Sequence, residues 1–314
     1  MGVYFLGEVN MPKRQIQAKP ANLKMERNFA RDVKVFAKPN KTNTTPWESL
    51  HTGRIIQSVV IWKHEQHERR VFVLPAIIAS NQYLELMHFA RDVLAALTTL
   101  YMQKNSPDNP TLVTTYSELC RVLGISPNGE TKEKISDALA ILVMYTIKNQ
   151  SVVIRFTKNG KAEWGEEIFG FLDRAVWVNA LGDLDGPKEK LPPRKQRLEI
   201  TLSKKYLELL NMMGPKKQTL LAEIPFSALQ ATRQLNRKQI VPAKNIIYYL
   251  AGRGGNARLK KDTLINIMGI KNIRPSKTNK TMLHILECMA TKNILSYRFL
   301  SPDLIDLKLC CSAD

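Results

Sequence analysis

Apolar positions recur along this chain with two periods, and the order in which the periods alternate outlines the fold. Arg54 to Ile61 and Glu68 to Leu74 are β-branched runs separated by the polar KHEQHE. They read as strands, the second ended by Pro75. From Asn81 to Tyr101 the spacing becomes helical, with Leu84, Met87, His88, Leu94, Leu97, Thr98 and Tyr101 roughly along one side. TTYSELCRVLGI then offers Thr115 as a cap, Glu118 three residues on as the second half of a capping box, and Gly124 as a stop. Thr131 to Ile147 is a further helix. Ser151 to Thr157 and Ile168 to Val178 are strands joined by the turn KNGKAEWG. Three helices followed by a two-stranded hairpin make a winged helix.

Asn179 to Arg197 carries Gly182, Gly186, Pro187, Pro192 and Pro193 among charges and reads as a linker. A strand at Leu198 to Leu202 and a helix at Ser203 to Met213 follow. Leu220 to Ala231 reads as a short helix, and Lys238 to Ala251 as a helix after Pro242. In DTLINIMGI, Leu264, Ile265, Ile267 and Met268 form an apolar face closed by Gly269. Pro275 to Ala290 is the next helix, with Met282, Leu283, Leu286 and Met289 on one side. A hairpin from Ile294 to Leu309 turns near Ser301 and Pro302. The segment SELCRVLGI aligns without a gap on DTLINIMGI, and the same order of elements surrounds both copies. The expected fold class is therefore α+β, with two tandem winged-helix domains. Residues 1–50 are a mobile basic N-terminal arm, 51–180 the first domain, 181–197 the linker and 198–314 the second domain.

The charge is placed unevenly. Of a net +19, residues 194–300 carry 21 Lys and Arg against five acids, whereas residues 42–193 carry 16 against 17. Such a concentration over one domain is the footprint of polyanion binding. The first domain is a poor phosphate binder and a better candidate for self-association, with the strands from Arg54 to Leu74 as the surface. In the second domain the helix from Pro275 begins with Lys, Asn and Ser, the layout of a major-groove reader. Ser276, Lys277, Asn279 and Lys280 are the candidate base readers, lysine suiting guanine and asparagine adenine. Arg253, Arg258, Lys260, Lys261, Arg274 and Arg298 are the candidate phosphate contacts.

Catalytic chemistry does not stand out. His64 and His67 lie in a polar loop, and His51, His88 and His284 are scattered. AGRGGNAR is glycine-rich but lacks the Gly-Lys-Ser/Thr ending of a P-loop. Cys120, Cys288, Cys310 and Cys311 form no metal-ligand spacing. No enzyme, metal or cofactor is expected. No run approaches the length of a membrane span, the N-terminal apolar patch is too short for a secretory signal, and Leu6 stands where a myristoylation motif needs a hydroxyl. The expectation is a cytoplasmic chain without a membrane partner.

TTYSELCRVLGISPNGETKEKISDALAIL, LEITLSKKYLELL and DTLINIMGIKNIRPSKTNKTMLHIL together resemble the initiator (Rep) proteins of iteron-type bacterial plasmids, over about Arg54 to Leu309. The resemblance implies binding to direct repeats of double-stranded DNA at an origin, opening of an adjacent AT-rich region and recruitment of host helicase or initiator proteins. It also implies a homodimer that represses its own gene, a monomer on origin DNA, and an association with plasmid or nucleoid. A winged-helix transcription regulator with no replication role is the alternative, binding an inverted repeat without opening it. A basic scaffold for RNA is a third reading. Aromatics do not interleave with the basic run from Arg253 to Lys280, which argues against stacking on single strands.

Overall fold

The computed structural model describes residues 22–31, 44–49, 53–61, 68–73, 83–104, 109–156, 162–181, 189–191, 196–211, 221–270 and 274–310. The elements, in chain order, begin with β1 (Asn22–Glu26), α1 (Arg27–Arg31), β2 (Thr44–Ser49), β3 (Gly53–Ile61), β4 (Glu68–Val73) and α2 (Tyr83–Lys104). Then come β5 (Thr111–Thr114), α3 (Tyr116–Leu123), α4 (Gly129–Met144), β6 (Thr146–Phe156), β7 (Ala162–Gly170) and β8 (Leu172–Val178). The short strands β9 (Ala180–Leu181) and β10 (Glu189–Lys190) precede β11 (Arg197–Leu202), α5 (Lys204–Asn211), β12 (Leu221–Pro225) and α6 (Phe226–Ala231). The chain closes with α7 (Arg237–Gly252), β13 (Asn256–Lys260), α8 (Lys261–Met268), α9 (Pro275–Thr291), β14 (Leu295–Ser301) and β15 (Leu304–Leu309).

Two units share one topology. In the first, α2 is followed by β5, α3, a turn and α4, and the sheet order is β5-β11-β8. In the second, α7 is followed by β13, α8, a turn and α9, and the sheet order is β13-β15-β14. The central strand is last in sequence in both, and both sheets are antiparallel. The gapless alignment of α3 with α8 thus extends to the whole unit. Each of these helices ends on a glycine in the left-handed conformation, Gly124 at φ 66° and Gly269 at φ 69°, where a side chain is strained. Thr115 caps α3 as expected, its Oγ1 accepting from the Glu118 N–H at 3.1 Å. The Glu118 carboxylate does not return the bond. It accepts from the Thr114 hydroxyl at 2.7 Å and pairs with Lys104.

Four expectations change. Residues 22–31 belong to the folded body, although their surroundings in sequence read as a flexible arm. Leu23, Met25, Phe29 and Ala30 are buried. β1 pairs with β12, Leu23 opposite Ile224, and the Phe29 ring meets Phe171 edge-on at 4.9 Å. The cause is a five-residue alternation, NLKME, that the surrounding Lys and Pro obscure. Residues 1–21 and 32–43 lie outside the described residues. Second, β11 opens no new domain. Leu198, Ile200 and Leu202 are buried at the centre of the first sheet. Tyr206 of α5 then meets Phe171 edge-on at 5.5 Å, so the first unit runs to Asn211. Third, the strand expected over Ile168 to Val178 divides at the fully buried Phe171. β7 pairs with β6 in a five-stranded sheet of order β2-β3-β4-β6-β7, whereas β8 pairs with β11. The expected helix from Leu220 to Ala231 is β12 followed by α6, because β1 supplies a strand partner and Pro225 ends the pairing.

A buried polar cluster joins α2 to α7. Arg91 lies fully buried with its guanidinium 4.0 Å from the centre of the Tyr248 ring, and it donates to Asn245 Oδ1 at 3.0 Å. Asp92 accepts from the Tyr248 hydroxyl at 2.8 Å and pairs with Lys244. His88 Nδ1 sits 3.4 Å from an Arg91 nitrogen, which only donates, so Nδ1 is the acceptor and the imidazole is neutral. Burial, with the Arg91 and Lys244 charges adding to it, pushes the His88 pKa down to about 2. Burial, followed by the neighbouring Asp92, pushes the Tyr248 phenol well above its usual value.

Candidate nucleic-acid interface

The second unit builds its candidate reading helix, α9, by ordinary means. Arg274 is extended and Pro275 occupies the first helical position, where its missing N–H costs nothing. Thr278, Met282, Ile285, Leu286 and Met289 are buried and fix the rotation of α9. That rotation turns Lys277, Lys280, Thr281, His284 and Glu287 outward as one exposed stripe. Ser276 is exposed beside Lys277 in the first turn. Asn279 is not on this stripe. It is half-buried and lies about 150° round the helix from it at 3.6 residues per turn, on the side of Met282 and Leu286. Three of the four candidate base readers therefore share a surface, and the fourth stands apart.

The phosphate candidates fall into two groups. Arg258 and Arg298 face each other across β15, because both are in register with Asp306. The Arg258 Nε lies 3.6 Å from Asp306 Oδ1, and the Arg258 side chain is 71% exposed, so the pairing leaves it open to solvent. Alternation puts Lys260 and Lys308 on the same sheet face. The opposite face is apolar, with Leu259, Leu295, Ile305, Leu307 and Leu309 buried. Arg253 and Arg274 are exposed just beyond α7 and just before α9. The Arg253 guanidinium is 5.6 Å from the centre of the Tyr249 ring. Lys261 is half-buried, and its N–H donates to the Asp303 carbonyl at 2.9 Å, tying the hairpin tip to the start of α8.

Lys308 and Thr281 share these surfaces and are not among the candidates read from the sequence. The signal for Lys308 was present, since Ile305, Leu307 and Leu309 alternate with Asp306 and Lys308. The interlock of α2 with α7 had no signal. His88 and Arg91 sit one turn apart in a helix that otherwise reads as apolar core, and the partners of Arg91 on α7, Asn245 and Tyr248, are more than 150 residues away.

The equivalent helix of the first unit, α4, is arranged differently. Asn128 caps it, accepting from the Thr131 N–H at 2.8 Å. Lys132 donates to Gln196 at 3.2 Å and lies 5.3 Å from the centre of the Trp177 ring. Lys134 pairs with Glu130 at 2.6 Å, and Glu133 and Asp137 are exposed nearby. The turn preceding α4 is covered by the second half of the chain. Gln230 donates to the Leu123 carbonyl at 3.1 Å, and Arg233 donates to the carbonyls of Leu123 and Gly124. Partial burial lowers the Arg233 pKa. A cavity of about 250 Å³ lies at this junction, lined by Phe89, Asp92, Lys134, Phe226, Arg233 and Lys244 among others.

Among the described residues no group of His, Cys, Asp and Glu is placed to hold a metal ion, and no helix is long and apolar enough to cross a membrane. His51, His64, His67 and Cys311 lie outside the described residues. No protein-family model matches the chain, and no curated protein matches it. Solved structures are similar to the chain. A crystal structure of domains 2 and 3 of RctB, as the selenomethionine derivative, matches with a TM-score of 0.50 at 13% identity, covering 91% of this chain and 99% of that one. A second structure of RctB domains 2–3 matches with a TM-score of 0.44 at 12% identity, covering 88% of this chain and 95% of that one. At this identity the first likeness shows a shared mixed helix and sheet fold across nearly the whole chain.

Proposed function

We propose that this chain is a sequence-specific double-stranded DNA-binding protein that initiates replication. It acts by binding and not by catalysis, and it consists of two winged-helix units. The observation that carries the reading is the division of labour between two units of one topology. The second presents Lys277, Lys280 and Ser276 on an open helix face beside a basic three-stranded sheet, whereas the first has its lysines engaged and its turn covered. RctB is a replication initiator, and the fold shared with its domains 2 and 3 supports this reading.

On this reading α9 enters the major groove, with Lys277, Lys280 and Ser276 at base edges. Arg258, Lys260 and Arg298 hold phosphates through the sheet, and Arg253, Lys261 and Arg274 set register from the flanks. The sites are direct repeats at an origin, next to an AT-rich region that the protein helps to open, and host helicase or initiator proteins are recruited there. The five-stranded sheet has β2 and β7 as its edges. Sheet edges of this kind join two copies across a two-fold axis, so this sheet is the proposed contact of a homodimer that represses its own gene. The monomer is the form on origin DNA, and the protein works in the cytoplasm.

A nuclease footprint on the DNA flanking the gene, at moderate salt with competitor, tests this. Protection of several direct repeats beside an AT-rich stretch is the expected result. Protection of a single inverted repeat would replace the initiator with a transcription regulator, and no protection would remove DNA binding altogether.

A further inference from the structure

The tip of the β14–β15 hairpin exposes apolar side chains where the surrounding surface is charged. Phe299 is 40% and Leu300 39% exposed. Among the described residues the other exposed large hydrophobics, Met102 and Val113, lie on the first unit. Every residue from Arg298 to Asp303 is exposed, Pro302 included. The backbone explains Leu300. Phe299 pairs with Ile305 and Ser301 with Leu304, so Leu300 is the extra residue of a bulge and has no partner in register. Phe299 is held in place by Tyr297, ring centres 6.0 Å apart and planes at 88°. The hairpin carries Arg298 and Lys308 and the neighbouring β13 carries Arg258 and Lys260, against Asp303 and Asp306 on the hairpin.

We infer that this tip is a wedge for the DNA minor groove: Phe299 and Leu300 press into a base step while Arg298 and Lys260 hold the phosphates on either side. Apolar side chains on a basic element are the device by which proteins unstack a step and bend the duplex. AT-rich DNA yields most readily, because TA steps are the most easily kinked. Lys260, opposite Leu304, and Arg298, opposite Asp306, put cations next to the tip, and their charge favours a nucleic acid over an apolar peptide. This inference rests on the DNA-binding reading and adds a mechanical role to it. Contact alone would position the protein, whereas a wedge begins the distortion from which strands separate.

The full-length protein, its Phe299→Ala/Leu300→Ala variant and the Leu300→Ala variant alone are compared on a linear fragment carrying the DNA that flanks the gene. Nuclease protection reports binding, and permanganate oxidation reports unstacked thymines. The wild type is expected to make thymines reactive inside or beside its protected segment. The double variant is expected to protect the same segment with the same salt dependence, since it removes no charge, while its thymine signal falls to that of free DNA. Leu300→Ala, which keeps the Tyr297–Phe299 contact, is expected to fall between the two and guards against a hairpin that has lost its shape. Undiminished thymine reactivity in the double variant overturns the wedge and leaves the patch to a protein partner. Protection by the wild type without reactive thymines overturns the wedge alone. An absence of protection overturns the DNA-binding reading and the wedge with it.

Discussion

The two units share helix order, strand order and a glycine-terminated helix before the turn, yet they meet their surroundings in opposite ways. In the second, the residues past Gly269 lead to a helix whose outward stripe is open and begins with Lys277 and Lys280. In the first, the carbonyls of Leu123 and Gly124 are occupied by Gln230 and Arg233, and Lys132 rests on Trp177. The lesson is that topology alone does not decide which surface stays open. What differs is which side chains the same scaffold leaves without an internal partner.

The largest expected effect separates the two helices. Lys277→Ala/Lys280→Ala is predicted to cost roughly 2–6 kcal/mol of specific DNA binding, at about 1–3 kcal/mol for each good base contact. Lys132→Ala/Lys134→Ala is predicted to change binding little, because those side chains are spent on Trp177, Gln196 and Glu130. Titration of labelled duplex with each variant checks this. Equal losses from both pairs would mean that both helices read DNA.

The next effect concerns what holds the units together. Asp92 is shared by Lys244 and the Tyr248 hydroxyl. Asp92→Ala leaves a largely buried ammonium without its carboxylate, and about 3 kcal/mol of stability is predicted to be lost. Chemical denaturation of the whole chain measures it. A loss confined to one of two separate transitions would show that the units fold independently.

The two helix-ending glycines offer a direct contrast. A Cβ on Gly269 meets nothing closer than Asn245 at 3.8 Å, so Gly269→Ala is expected to carry the left-handed penalty alone, about 1–2 kcal/mol. A Cβ on Gly124 would lie 2.1 Å from Gln230 Nε2 and 2.6 Å from the Phe226 ring. Gly124→Ala is therefore predicted to be the more destabilising, and Gln230→Ala in the same chain to recover part of the difference. If the two glycines respond equally, the contact between α6 and the first unit's turn is not formed in solution.

His88 tests the interlock by pH. Its folded pKa is depressed to about 2 from 6.5, so the unfolded chain binds a proton that the folded one refuses. The contribution is present above pH 6.5 and is lost as pH falls below it, at about 1.4 kcal/mol per pH unit from this one group. His88→Gln is predicted to flatten the acid limb between pH 6 and pH 4, measured as thermal midpoints across that range.

Much of this comparison was legible in the chain, for reasons that locate what was not. α3, α8 and α9 announce themselves through Thr115, Gly124, Gly269 and Pro275, because caps and stops act within a few residues. The units' sheets were hidden because a strand does not name its partner. Leu198, Ile200 and Leu202 alternate clearly, but nothing local says that they lie between β5 and β8 and not at the head of a new domain. β1 was lost among lysines and prolines for the same reason, its partner β12 being about 200 residues away. The cationic stripe could be read because charge composition survives folding. Its facing could not, since Asn279 is set aside by the burial of Met282, Ile285 and Leu286, which depends on what α9 packs against.

That displacement supplies the smallest effect and the finest test of the second unit. If α9 docks by its exposed stripe, Asn279 reaches no base edge in this arrangement, and Asn279→Ala is predicted to change the preference between related sequences by less than about 1 kcal/mol, below the range of one good base contact. Lys261→Ala, by contrast, is predicted to weaken all duplexes alike and to reduce the salt slope by about one unit. Competition binding between a protected site and its single-base variants separates the two. A large loss of discrimination from Asn279→Ala would mean that α9 turns about its axis on the DNA, exposing a side now packed beside Met282. The buried face that sets the helix in the free protein would then not be the face that sets it in the complex.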